Sequence, residues 1–210
     1  MSMSEHNSAE RTDGVVSAVL NDISAGVLTN GNWLKQADLE TRYGCSRADA
    51  RRTLEKLAIK GVVQHIPNRG FYVTKIDQAR HKDLVAVRII LETATLEDVI
   101  NNATSVDVKE LRRLAEDFST LVREGDALQK FNANRAFHSY LTQLCSNKEL
   151  VKLTLEYRGN LPTTPMVQWR SQDRIERSAN EHFEMVQAIE DKDLARLIEL
   201  TRLHILQPSK

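Results

Sequence analysis

Apolar positions recur in short bursts along the first third of the chain and in long helical stripes along the rest. Val15, Val16, Val19, Leu20, Ile23 and Leu28 predict an amphipathic helix ending near Gly26, and Ala37 to Tyr43 predicts a short second helix closed by a turn at Gly44. Ser46 is a good N-cap for a third helix. Ala50, Leu54, Leu57 and Ala58 give that helix an apolar stripe, and Gly61 stops it. Val62 to Ile66, the turn Pro67-Asn68-Arg69-Gly70 and Phe71-Tyr72-Val73 then read as strand, tight turn and strand. This order of elements is a winged helix-turn-helix. Beyond it the period is helical throughout, with helices near 80–101, 106–124, 127–145, 148–158, 172–191 and 193–206. Ser105 and Asp193 suit the N-caps of two of these, and Pro162 and Pro165 mark a loop before Trp169. The expected fold class is mainly α: a winged helix-turn-helix followed by an all-helical bundle of six helices.

Composition places the boundary between the two. Six of the eight glycines lie in the first 70 of the 210 residues, so short elements give way to long ones near Lys75 to Gln78. The expected domains are 1–76 and 77–210. No apolar run approaches the roughly 18 residues of a membrane span, and the polar N-terminus lacks the apolar core of a secretion signal, so a cytoplasmic location without membrane contact is expected. Cys45 and Cys145, far apart in the chain, read as packed or bystander thiols rather than a disulfide or metal pair.

Charge sharpens the division. The 29 basic and 29 acidic residues cancel overall, but Lys35 to Lys75 holds nine basic against four acidic side chains. A polyanion would bind there. A helix offered to the major groove of DNA needs a tight turn before it, donors at its N-terminal end and an apolar back face. Gly44-Cys45-Ser46-Arg47 supplies the turn and first donors. Arg47 and Arg51, four apart, share a face from which they can reach guanine edges or phosphates, and Ser46 suits a phosphate oxygen. Arg52 adds charge to the same helix, and the Arg69-Gly70 tip can reach the minor groove or the backbone. The competing reading of these charges is a solvated basic face, which the surrounding turn, helix and hairpin make the poorer account.

The segment Leu34 to Val73, LKQADLETRYGCSRADARRTLEKLAIKGVVQHIPNRGFYV, resembles the winged helix-turn-helix of GntR-type bacterial transcription regulators. The Ser-Arg pair, the second Arg four residues on, the Leu-rich back face and the Pro-Asn-Arg-Gly wing carry the likeness. Asp49 and Arg52 depart from it, standing where that family often has Pro and usually has Glu. The resemblance implies a homodimer on double-stranded operator DNA with two-fold symmetry.

The second domain carries candidate ligand chemistry of its own. Phe131, Asn134, His138, Leu141 and Cys145 share one helical stripe; Ile175, Ala179, His182, Val186 and Ile189 share another; Leu197, Thr201 and His204 share a third. Three imidazoles and an amide thus point into one bundle interior, which favours a ligand cluster over three separate core histidines. Imidazole suits zinc, nickel, copper or iron, and three histidines with one oxygen leave positions open for water or a carboxylate. Glu181, adjacent to His182, falls off its stripe. This half resembles the all-helical FCD effector domain of the FadR-like branch of GntR regulators. That resemblance implies a divalent transition metal, zinc or nickel, on Asn134, His138, His182 and His204, with Asn134 standing where metal-binding members have Asp. It also implies that Arg88 faces the ligand cavity, where a guanidinium would grip a small carboxylate effector bidentately; the alternative is a surface pair with Glu92. Arg135 and Arg174 are further effector candidates. The reading is therefore a DNA-binding transcriptional repressor, not an enzyme, controlled by a small organic acid bound near a metal, with the linker Thr74 to Gln78 transmitting the signal. A metal-free regulator taking a bulkier acyl or sugar-acid ligand is the first alternative. A metal-dependent hydrolase or lyase is the second, disfavoured because no acidic residue stands at a spacing from the histidines that names a general base.

Overall fold

The computed structural model describes residues 3–24, 26–74, 78–160 and 171–206. They form two compact units, one running to Thr74 and the other starting at Gln78, with residues 159–160 grouped with the first. The loop read at Pro162 to Trp169 and the centre of the linker lie outside the described residues. No helix among the described residues is long and apolar enough to cross a membrane.

The first unit contains α1 (Met3–Ser24), β1 (Trp33–Leu34), α2 (Gln36–Tyr43), α3 (Arg47–Ile59), β2 (Val63–Ile66) and β3 (Gly70–Val73). Val16 and Val19 of α1, Leu39 of α2, and Ala50, Leu54 and Leu57 of α3 close one apolar core over Val63 and Val73. Every one of these is a stripe position of its element, so burying the core fixes which face of α3 is left to solvent. Gly44 ends α2 in the left-handed conformation (φ 61°), which turns the chain into α3 without strain. β3 lies between β1 and β2, antiparallel to both, with Gln64 opposite Tyr72 and Trp33 opposite Tyr72 on its other side. The two-residue strand β1 is absent from the sequence expectation, because two residues carry no alternation to read.

The second unit contains α4 (Gln78–Ala94), α5 (Leu96–Asn102), α6 (Ser105–Glu124), α7 (Ala127–Gln143), α8 (Lys148–Asn160), α9 (Gln172–Glu190) and α10 (Leu194–Leu206). The expected single helix over 80–101 is thus two. The Thr95 hydroxyl donates to the Glu92 carbonyl (2.8 Å), taking an acceptor the helical ladder would use, and the helix breaks there. The N-cap of α6 is Thr104 rather than Ser105: Thr104 and Asp107 form a reciprocal capping box that Ser105, one residue too late, cannot make. Asp193 caps α10 as expected, accepting from the Arg196 N–H (2.9 Å). Leu111, Leu114, Ala115, Phe118 and Val122 place the buried stripe of α6 against α7 and α9; α9 packs on α10, and α10 on α4 and α5. The three histidine-bearing helices therefore meet within one bundle.

Candidate functional sites

On the first unit the N-terminal end of α3 is built around Asp49. The Ser46 hydroxyl accepts the Asp49 N–H (3.1 Å) and donates to its carboxylate (2.6 Å), closing the cap in both directions. The Thr12 hydroxyl of α1 donates to the same carboxylate (3.3 Å), and Arg52 pairs with it at 2.8 Å. These donors, the Ser46 hydroxyl foremost and then the Arg52 guanidinium, hold the carboxyl down to about 2. The two residues that depart from the GntR pattern, Asp49 and Arg52, are thus partners of each other. Asp49 is buried and holds one nitrogen of the Arg52 guanidinium, Nη2, while the Arg52 side chain stays half in water.

Arg47 and Arg51 stand exposed on one face of α3, Arg47 beside Gln36 (3.4 Å) and Arg51 paired with Glu55 (2.8 Å). Such exposed pairs are weak, so an incoming phosphate or base edge can displace them. At the wing, Asn68 (φ 62°) and Gly70 (φ 97°) both take left-handed backbone, and Arg69 projects from the exposed tip between them. The exposed Trp33 and the half-buried Tyr72, ring centroids 5.5 Å apart, make an aromatic pair on the sheet that the sequence reading did not single out.

On the second unit His138, His182 and His204 converge. The Nε2 of His138 lies 3.0 Å from the Nε2 of both His182 and His204, and all three side chains are buried. Burial lowers the pKa of each. For His138 the Arg158 charge pushes the same way, as the His204 charge does for His182, while Glu181 partly opposes the shift at His204. Nδ1 of His204 lies 2.6 Å from Glu181, which fixes its tautomer with the proton outward and the Nε2 lone pair inward. Glu181 is itself clamped by Arg174 through both carboxylate oxygens (3.1 and 3.0 Å). This corrects the expectation that Glu181 falls outside the cluster: it reaches across to α10. His182 is oriented differently, by Phe137 stacked on it at 4.1 Å.

Beside the histidines sits a buried charge group. Glu92 accepts from Arg88 Nε (2.5 Å) and from Arg158. Burial drives the Glu92 carboxyl up, and the charges of Arg158 and Arg88 more than reverse it; burial brings Arg158 down to about 10. Arg88 does pair with Glu92, but inside the bundle rather than on its surface. Arg174 is also buried, whereas Arg135 is exposed. Arg158 went unread in the sequence because its partner is 66 positions away.

These residues suit a cation. Neutral imidazoles with Nε2 atoms this close leave their hydrogen-bonding incompletely met, since His204 Nε2 bears no proton and one proton on His138 Nε2 serves only one neighbour. Two nitrogens each about 2.1 Å from a metal and at right angles are about 3.0 Å apart, the spacing seen here. Asn134, one turn before His138 and buried, has an Oδ1 without a partner. His182 Nδ1, Ser178 Oγ, Thr201 Oγ1 and Arg174 Nε, all on α9 and α10, are also buried and unpartnered. Native interiors rarely leave so many polar atoms unmet in one place unless something polar is held there.

Both units have known counterparts. Residues 11–73 match the family described as bacterial regulatory proteins, gntR family, and residues 83–207 match the FCD domain. The HTH-type transcriptional regulator BphR of Paraburkholderia xenovorans (strain LB400) is 32% identical over 197 residues, covering 88% of this chain and 78% of that protein. The HTH-type transcriptional repressor RspR of Escherichia coli (strain K12) is 26% identical over 176 residues, covering 82% and 75%. Among solved structures, E. coli McbR/YncC has a TM-score of 0.83 at 19% identity over 94% of each chain. A GntR regulator from Rhodococcus sp. RHA1 has a TM-score of 0.73 at 20% identity, over 96% of this chain and 100% of that one. At these identities the structural likeness is one of fold. The capped helix α3 with its basic face, followed by a helical bundle matched along most of its length, is therefore that of a DNA-binding transcriptional regulator rather than an enzyme, and the chain belongs to the GntR family with an FCD effector domain.

Proposed function

We propose that the protein is a homodimeric, cytoplasmic repressor whose operator affinity is set by a small organic acid bound beside a divalent metal, zinc or nickel, in the helical domain. The observation that carries the reading is the meeting of three neutral imidazoles with a buried group of guanidiniums. In this reading residues 1–76 bind DNA and 77–210 bind the effector. Arg47, Arg51 and Arg52 on α3 address the major groove, Ser46 with the helix N-terminus addresses a phosphate, and Arg69-Gly70 addresses the neighbouring groove or backbone. His138, His182, His204 and the Asn134 oxygen would hold the cation, which supplies an electrophilic anchor for a carboxylate. Arg88 donates to that carboxylate. Arg174 acts mainly through Glu181, holding His204 in the tautomer that presents a lone pair. Arg135, on the exposed side of α7, is left as an outer candidate for the effector. Ligand and DNA are coupled only insofar as the ligand binds one arrangement of the two DNA-binding domains better than another.

Two experiments test this. Duplexes selected by the protein from random DNA serve as operator probes. Arg51→Ala should lose about 1–3 kcal/mol of binding at physiological salt, and undiminished affinity would remove α3 as the reading helix. Metal content of the purified protein should fall in a His182→Ala/His204→Ala variant; equal content in both rejects the metal assignment.

A further inference from the structure

The donor set and its surroundings are unbalanced in charge. All four candidate metal donors, three imidazoles and one carboxamide, are neutral, so none cancels any of a cation's charge. The charged groups around them add to the imbalance: among the described residues Arg88, Arg158 and Arg174 pair with two carboxylates, the buried Glu92 and the half-buried Glu181, a surplus of one positive charge. A divalent cation entering alone would raise that surplus to three charges inside the bundle. Buried charge of that size is held only when it is paired. An anion entering alone would meet favourable guanidiniums, but their Nε and Nη1 donors toward Glu92 are already engaged and the histidine lone pairs would face it.

From this we infer that metal and effector enter the site as a coupled pair, each weak alone, and that the effector is a dianion, a dicarboxylate or a carboxylate with a second acidic group. A divalent cation and a dianion together add no net charge, leaving the surplus where it stands without them. One carboxylate replaces the anionic donor that the chain does not provide at Asn134, and the second meets the Arg88 and Arg158 side. Ser178 and Thr201, buried with unpartnered hydroxyls one turn from His182 and His204, offer further donors. The inference rests on the metal-and-acid reading above and gives it a regulatory consequence: the site fills only when both components are present.

Isothermal titration of the full chain with zinc, alone and in acetate, malonate or succinate, measures the coupling after correction for zinc binding by each acid. Zinc affinity should rise by about tenfold or more in at least one dicarboxylate and by less in acetate, and by reciprocity the acid's affinity should rise by the same factor in zinc. Asn134→Asp, checked for native helicity by circular dichroism, supplies the missing charge itself. It should bind zinc about tenfold or more tightly without any acid and show reduced coupling. Tight zinc binding by the natural chain that no acid changes, or an Asn134→Asp variant with unchanged zinc affinity, overturns the coupling while leaving the metal site in place. Zinc binding that is absent under every condition, or that survives His182→Ala/His204→Ala, overturns the metal reading itself.

Discussion

Replacing Glu92 by Gln is the sharpest perturbation of the helical domain. The glutamate is almost wholly buried and is the shared counter-ion of Arg88 and Arg158, whose guanidiniums converge on its two oxygens. Glutamine keeps the shape and one acceptor but removes the charge and turns an N–H₂ toward one of the arginines. Removing one partner from a buried ion pair typically costs about 3–5 kcal/mol, because the charge left behind is uncompensated. For a chain of this size each kcal/mol moves the melting temperature by about 2–4 °C, so a fall of roughly 6–20 °C is expected. Thermal and urea unfolding followed by far-ultraviolet circular dichroism measures it, since most of the helix is in this domain. The triple variant Arg88→Met/Glu92→Leu/Arg158→Met removes the charges together and should recover most of the loss, because apolar side chains of like volume replace buried ion groups at little cost. A loss below about 1 kcal/mol in Glu92→Gln, or a triple variant no more stable than the single one, would refute the paired arrangement.

Three further outcomes follow from the same geometry. Ser46→Ala should destabilise the winged domain by about 0.5–2 kcal/mol in urea unfolding, because the Asp49 N–H loses its acceptor and the Asp49 carboxylate loses its closest donor. Asp49, with its carboxyl near 2 in the folded chain against an ordinary value of about 3.9, contributes stability that is complete above pH about 4 and lost as pH falls toward about 2. The stability difference between the natural chain and Asp49→Asn should therefore shrink across that interval, and a difference that grows on acidification would contradict the assignment. Glu181→Gln should weaken zinc binding about 10–100-fold by calorimetry, since His204 loses the carboxylate that orients it while all four metal donors remain.

What the sequence reveals and what it hides divide by range. The histidine stripes were legible because helical period alone sets which residues share a face: Asn134 and His138 on α7, His182 on α9 and Thr201 and His204 on α10 are all buried as their spacing implies. Gly44, Ser46 and the Arg69-Gly70 turn were legible because capping and turn conformations are chosen by one or two neighbouring residues. The second layer of the cluster was hidden. Glu181 meets a histidine 23 positions away and Arg158 a carboxylate 66 positions away, and no local pattern encodes which helices will face each other. The break at Thr95 was hidden for a different reason: a threonine within a helical stripe does not disclose that its hydroxyl will compete for a backbone carbonyl. Asp49 and Arg52, three residues apart in the sequence, read as two separate departures from the GntR pattern, and the fold joins them in one ion pair.

Control of DNA binding by the helical domain is the central claim, and one titration addresses it directly. Fluorescence anisotropy of the full chain on a selected duplex, at fixed physiological salt, is recorded with zinc and succinate or malonate each alone and together, beside the His182→Ala/His204→Ala variant. A change in duplex affinity of about 5–150-fold that requires both zinc and a dicarboxylate, and that the variant lacks, is the predicted result. Duplex affinity that is the same under all conditions in a protein calorimetry shows to be loaded with both would contradict it.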